Sequence, residues 1–206
     1  MILQAQTVTV PEPKTKIQKI KLTGGSILET NLTNFIHSGI DNSSSNMRLG
    51  VSAGGFINLE LVKPFSIQGE MLFHYKTSEY KWENHTGKYE YWGVEIPVYA
   101  MYSWSFYRDS RLYIGVGPYT NFGFGARFKE GGRKIDVYEK EEDTGLPVMK
   151  DSDTGFGIKL GYEFASGLQI NATYKISVTN ITDANSSAVK MYPQTFGLGL
   201  AYRWGK

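Results

Sequence analysis

Between Phe156 and Phe164 the chain reads Phe, Gly, Ile, Lys, Leu, Gly, Tyr, Glu, Phe, and the same two-residue beat runs from Leu168 to Val178. Large apolar residues alternate with polar, charged or glycine residues. In an extended strand that period places the two sets on opposite faces. The pattern recurs along the whole chain, and the glycines fall mostly on the polar phase. An apolar outside around a crowded polar inside is the signature of a membrane-spanning barrel. The expected fold is therefore all-β, an eight-stranded antiparallel up-and-down transmembrane β-barrel.

Eight segments carry the beat, each at least as long as the roughly 9–11 residues a tilted transmembrane strand needs. They are 17–35, 47–62, 65–80, 88–104, 110–129, 153–165, 167–182 and 190–205. Their connections alternate in length. Val62-Lys63-Pro64, Ser105 to Asp109 and Ala165-Ser166-Gly167 are tight. Ile36 to Asn46, Glu79 to Lys88, Glu130 to Ser152 and Thr182 to Val189 are longer and polar. Short turns on one rim and long loops on the other are the layout of an outer-membrane barrel. Within the longest loop, Lys134–Glu139 and Leu146–Met149 are expected to form a hairpin about an Asp143-Thr144-Gly145 turn. Residues 1–16 read as an extended periplasmic tail or signal-peptide remnant, and 17–206 as the barrel.

The charges sharpen the phase. Glu70, Glu95, Lys159, Glu163, Lys175 and Arg203 all fall on the polar phase, as do His74 and Lys76. From the third strand onward no charge falls mid-strand on the apolar phase, and Glu90 comes nearest, beside a loop. A Lys or Arg facing lipid costs about 2–4 kcal/mol at the midplane, so this exclusion is what a lipid-facing wall demands. Buried charges are expensive without partners. Three acids and three bases inside a lumen are expected to pair in a filled interior. Leu72 is a lone apolar residue on the polar phase.

Tyr75, Tyr89 and Trp92 near one set of strand ends, and Tyr102, Trp104 and Trp204 near the other, are expected to form two interfacial aromatic girdles. Pro97 and Pro118 lie mid-strand, where each removes a ladder donor, so bulges or broken pairing are expected there. The chain has no cysteine, which excludes disulfides and thiolate metal sites. A net charge of +2 gives no basic footprint for nucleic acid. No run of roughly eighteen apolar residues offers a transmembrane helix.

The segments Tyr91-Trp-Gly-Val-Glu-Ile-Pro-Val-Tyr99, Gly115-Val-Gly-Pro-Tyr119, Asp153-Thr-Gly-Phe-Gly157 and Tyr174-Lys-Ile-Ser-Val-Thr-Asn-Ile181 together resemble the PorT-like outer membrane β-barrel domain, typical of Bacteroidetes. The resemblance spans about residues 17–205, with Glu95-Ile-Pro97 and Gly117-Pro-Tyr119 its most specific elements. It implies an eight-stranded barrel exported with a signal peptide, both termini in the periplasm, and in some members a part in type IX secretion. Barrels of this kind usually end on an aromatic residue, whereas here Gly205-Lys206 follow Trp204.

Candidate sites are few. Asp151-Ser-Asp153-Thr-Gly155 begins like a calcium loop, but Gly155 and Tyr162 occupy the fifth and twelfth positions, and neither side chain can serve. No metal or cofactor is expected. His37, His74 and His85 are the histidines; only His74 lies within a strand, with no serine in an evident catalytic relation to it. The expected function is that of a non-enzymatic integral outer membrane protein. Its partners would be outer membrane lipid and lipopolysaccharide, with envelope proteins meeting the long-loop rim. Three alternatives stay open: a narrow solute pore, a soluble lipocalin-like binding barrel with the phases inverted, and a membrane-edge lipid-modifying enzyme.

Overall fold

The computed structural model describes residues 20–38, 44–82, 85–106, 109–138, 149–182 and 190–205. The tail 1–16 and the Asp143-Thr144-Gly145 turn lie outside them. Among the described residues alternation builds nine strands: β1 (Lys21–Ser38), β2 (Ser44–Val62), β3 (Phe65–Trp82), β4 (His85–Ser105), β5 (Arg111–Glu130), β6 (Arg133–Asp136), β7 (Ser152–Glu163), β8 (Leu168–Ser177) and β9 (Lys190–Arg203). Every strand except β6 belongs to a closed antiparallel ring, in the order β1-β2-β3-β4-β5-β7-β8-β9 and back to β1. Closure through the β1–β9 pairing, from Gly25↔Arg203 to Ser38↔Lys190, leaves no free edge in hydrocarbon, where an unpaired backbone group would cost several kcal/mol.

The phases fall as the alternation predicts. Phe73, Val116, Phe156, Ile158, Leu198 and Leu200 point outward and are exposed, while Glu70, Glu95, Lys159, Glu163, Lys175 and Arg203 are buried within the ring. The inverted, lipocalin-like arrangement is thereby overturned for this wall. Leu72 has inward company after all: it packs with Ile27, Phe56 and Ala201.

Four details qualify the sequence reading, the first by meeting it. First, both mid-strand prolines open the ladder without shifting it. On β3–β4 the pairing stops at Gly69↔Val98 and resumes at Leu72↔Glu95. On β4–β5 it stops at Pro97↔Tyr119 and resumes at Ala100↔Val116. In each case the register is unchanged, so of the two expected outcomes, bulges or broken pairing, the prolines give broken pairing. Second, the bulge of this hairpin lies elsewhere, between Trp92 and Gly93. It carries Gly125 out of the lumen, where a Cβ would meet nothing within 4 Å, and turns Ala126 and Phe128 inward. Third, β8 stops at Ser177. Beyond it the Asn180 carboxamide oxygen accepts from Thr182 N, Thr182 Oγ1 and Met191 N. Local side-chain bonds of this kind compete with a ladder. Fourth, of the hairpin expected in the longest loop, residues 134–138 and Met149 lie among the described residues and its turn does not. Arg133–Asp136 folds back through Gly131-Gly132 onto the end of β5, and Val137 O accepts from Met149 N at 2.8 Å.

Strand length shows how the barrel meets a bilayer. Trp104 and Trp92 are twelve residues apart on β4. At about 3.3 Å per residue and a tilt of 35–45°, that interval rises roughly 30 Å, the thickness of the hydrocarbon core. β4 continues past Trp92 for seven further residues, to His85. Past this level the polarity of the wall reverses. The inward residues become apolar: Phe35, Tyr89, Tyr91, Phe128, Val137 and Met191 form one buried cluster. The outward residues become charged, among them Arg48, Glu79, Lys88, Glu90 and Lys129. The alternation continues, but a polar surrounding has replaced hydrocarbon outside the wall.

Introducing an outward charge mid-strand tests the lipid-facing wall. Leu198→Arg is expected to destabilise the folded protein by about 2–4 kcal/mol in bilayers, measured by denaturant unfolding in lipid vesicles. Lys190→Arg, at the long-loop end of the same strand, is expected to be neutral.

Candidate functional site: the ion-paired lumen

Alternation aims the ionised side chains inward, and ring closure brings together residues far apart in sequence. Three linked groups result. In the middle, Lys159 on β7 reaches across the lumen to Glu70 on β3, both side chains being essentially inaccessible. Gln68 Nε2 donates to the same Glu70 oxygen at 2.7 Å. Toward the long-loop end, Glu95 on β4 receives Lys76 at 2.9 Å and Lys175, which crosses from β8. Lys175 also lies 3.7 Å from Glu29 on β1, whose other oxygen accepts from Thr173 Oγ1 at 3.0 Å. Toward the short-turn end, Glu163 receives Arg111 at 2.9 Å, Arg203 at 3.0 Å and Gln169 at 2.9 Å. Arg111 continues to Glu60 at 3.3 Å.

Tyr99 stands among these groups, fully buried, with the Lys159 ammonium 5.6 Å from its ring centre. Its space comes from glycine. A Cβ on Gly157 would stand 3.1 Å from the Tyr99 hydroxyl, and one on Gly115 would stand 3.2 Å from Tyr99 Cβ. The inward glycines of β5 and β7 are thus the counterpart of one large inward ring. Below this level a cavity of about 410 Å³, lined by Thr23, Glu60, Arg111, Glu163 and Arg203 among others, opens at the short-turn rim. Toward the other end, a cavity of about 30 Å³ between Lys76, Tyr91, Asn121 and Asp153 has room for one water.

The six charges expected in the lumen, Glu70, Glu95, Lys159, Glu163, Lys175 and Arg203, are all there, and each is ion-paired. Glu29, Lys76, Arg111 and Glu60 join these six in the network, beyond the set that phase singles out. Arg111 and Glu163 are register partners on adjacent strands, a relation that needs strand pairing as well as phase. Glu29 was hidden because Ile27, on the same inward phase of β1, blurs the alternation there.

Five of the six girdle residues lie on the outer wall. Tyr75 and Trp92 pair at 5.2 Å between ring centres at one boundary, and Tyr102 and Trp104 pair at 4.6 Å at the other, with Trp204 exposed. Tyr89 is a correction. It is buried in the lumen against Phe35 and Tyr91, because it shares the parity of Gly93 and Glu95. His74 stacks on Tyr91 at 5.1 Å, and among the described residues neither of its ring nitrogens has a hydrogen-bond partner. Asp153 of the calcium-like stretch also turns inward, where the Tyr119 hydroxyl donates to it at 3.3 Å.

A closed ring of tilted strands, apolar outside, ion-paired inside and flanked by aromatic pairs, defines an integral barrel of the bacterial outer membrane. Residues 5–183 match the family model described as "Outer membrane protein beta-barrel domain", and the chain belongs to that family. No curated protein matches it in sequence. Among solved structures it is similar to the outer membrane protein OprG from Pseudomonas aeruginosa, with 10% identity and a TM-score of 0.54, covering 89% of this chain and 97% of that one. Neisserial surface protein A matches at 15% identity and a TM-score of 0.46, covering 87% and 96%. The outer membrane enzyme PagL matches at 11% and 0.44, covering 84% and 98%. At such identities the likeness concerns the fold alone.

Removing one member of a buried pair strands its partners. Glu95→Gln leaves Lys76 and Lys175 facing each other, and is expected to cost about 3–5 kcal/mol in reversible unfolding from detergent micelles. In a double-mutant cycle, adding Lys175→Met is expected to restore part of that loss.

Proposed function

We propose that this protein is a non-enzymatic outer membrane barrel with a blocked lumen, which works through its long-loop rim and outer wall. The observation that carries this reading is the set of ion pairs spanning the ring. Lys159 to Glu70 ties β7 to β3, Lys175 to Glu95 ties β8 to β4, and Lys175 to Glu29 ties β8 to β1. With Tyr99 between them, these struts fill the middle of the described barrel with buried side chains. In this reading the termini and short turns face the periplasm, the long-loop rim faces the exterior, and lipid and lipopolysaccharide surround the wall. A role as an accessory of a secretion or envelope assembly fits the same surfaces. The PorT-like branch is supported by its two specific elements, which meet as neighbours in the barrel: Pro97 and Tyr119 are register partners on β4 and β5.

Planar-bilayer recording tests the blocked lumen. The wild-type protein is expected to give no unitary conductance steps in potassium chloride, and the triple variant Tyr99→Ala/Lys175→Ala/Glu95→Ala is expected to leak. Discrete steps from the wild type would favour the pore reading.

A further inference from the structure

The outer wall of β4 and β5, just past the Tyr75–Trp92 pair, carries cations in a setting that the structural role of the barrel does not require. The Arg127 guanidinium carbon lies 5.6 Å over the Trp92 ring, and the Lys88 ammonium lies 6.0 Å from the Tyr75 ring centre. Lys88 and Lys129 are directly opposed on adjacent strands, a like-charge pairing that is destabilising in itself. Both hold the single carboxylate of Glu90, at 3.1 and 2.6 Å, and that carboxylate is 5% exposed although it points away from the lumen. Three cations therefore face one acid here. Lys134, opposite Lys129, and Asp136, opposite Arg127, extend the patch onto β6 and leave the excess positive. The neighbouring Arg48 and Glu79 satisfy each other at 2.8 Å.

Height along the wall identifies what meets these cations. Glu90 and Lys88 lie two and four residues past Trp92 on β4, roughly 5–10 Å beyond the hydrocarbon boundary that Trp92 marks. The headgroup layer of a bilayer is about 5–8 Å deep. On the hydrocarbon side of the boundary, Phe73, Phe122 and Phe124 are exposed and supply an acyl-chain surface. We propose that Lys88, Arg127 and Lys129 form a binding site for the phosphate groups of a lipid A-type glycolipid, whose acyl chains lie on the adjacent phenylalanines. Several cations spread over two strands suit a headgroup with more than one phosphate better than a phosphodiester with one. Glu90 preorganises the two lysines and moderates their charge. The inference rests on the outward placement of the long-loop rim proposed above.

The test uses the full chain, refolded in detergent, with native mass spectrometry of lipid adducts and three probes: bisphosphorylated lipid A, phosphatidylcholine and inorganic phosphate. Wild-type protein is expected to retain lipid A and neither of the others. Lys88→Gln/Lys129→Gln is expected to weaken retention roughly ten- to thirtyfold. Glu90→Gln is expected to strengthen it severalfold, a change of sign that a folding defect cannot produce. Lys190→Gln, elsewhere on the same rim, is expected to have no effect. Equal retention by the double lysine variant, equal retention of phosphatidylcholine, or weakening by Glu90→Gln would overturn the proposal. Rim orientation is read separately, by labelling a cysteine placed between residues 139 and 148 on intact cells, so the two readings fail independently.

Discussion

Hydrocarbon solvates neither charge nor unpaired backbone, and this barrel is organised around that fact. Between the two aromatic boundaries every strand must bond to a neighbour, and each ionised side chain must turn inward to a partner. Ring closure through β1 and β9 meets the first demand. The cross-lumen pairs of Lys159 with Glu70 and of Lys175 with Glu95 meet the second. The two are coupled, because the charges that cannot face lipid become the struts that hold opposite walls together.

The same constraint explains where the pattern changes meaning. Past Trp92 the period of two persists, yet its contents exchange: Tyr89, Tyr91 and Phe128 pack inside while Glu90, Lys88 and Lys129 face out. In that upper section the barrel is built like a water-soluble one. One sequence therefore carries two solvent rules in series, and the exchange from one to the other marks the membrane boundary. Apolar packing rather than an ion network closes the interior at that end.

Much of this was legible in the sequence. Phase alone placed Glu70, Glu95, Lys159, Glu163, Lys175 and Arg203 inside, because a wrong phase would have put them in lipid. Partners were not legible. Lys159 and Glu70 are 89 residues apart, and only closure of the ring makes them neighbours. Tyr89 was misplaced because aromatic residues near a strand end were read by type before parity, and parity alone assigns it inward. The bulge at Trp92/Gly93 leaves no mark in composition, so counting through it gives Gly125 the lumen parity it does not have. Glu29 was obscured by Ile27, an inward apolar residue whose reason is the Phe56, Leu72 and Ala201 cluster on other strands.

The absence of native cysteine permits a direct measurement of which face meets lipid. Single cysteines carried along β7 from Phe156 to Tyr162 and spin-labelled in bilayers report collision with oxygen, which concentrates in hydrocarbon, and with a water-soluble nickel complex. High oxygen collision and low nickel collision are predicted at Phe156, Ile158, Leu160 and Tyr162, and the reverse at a cysteine in place of Lys129, past the Trp92 boundary. Strong nickel collision at the apolar phase, or a protein that stays monodisperse in buffer without detergent, would contradict a charged interior sealed within a lipid-facing wall.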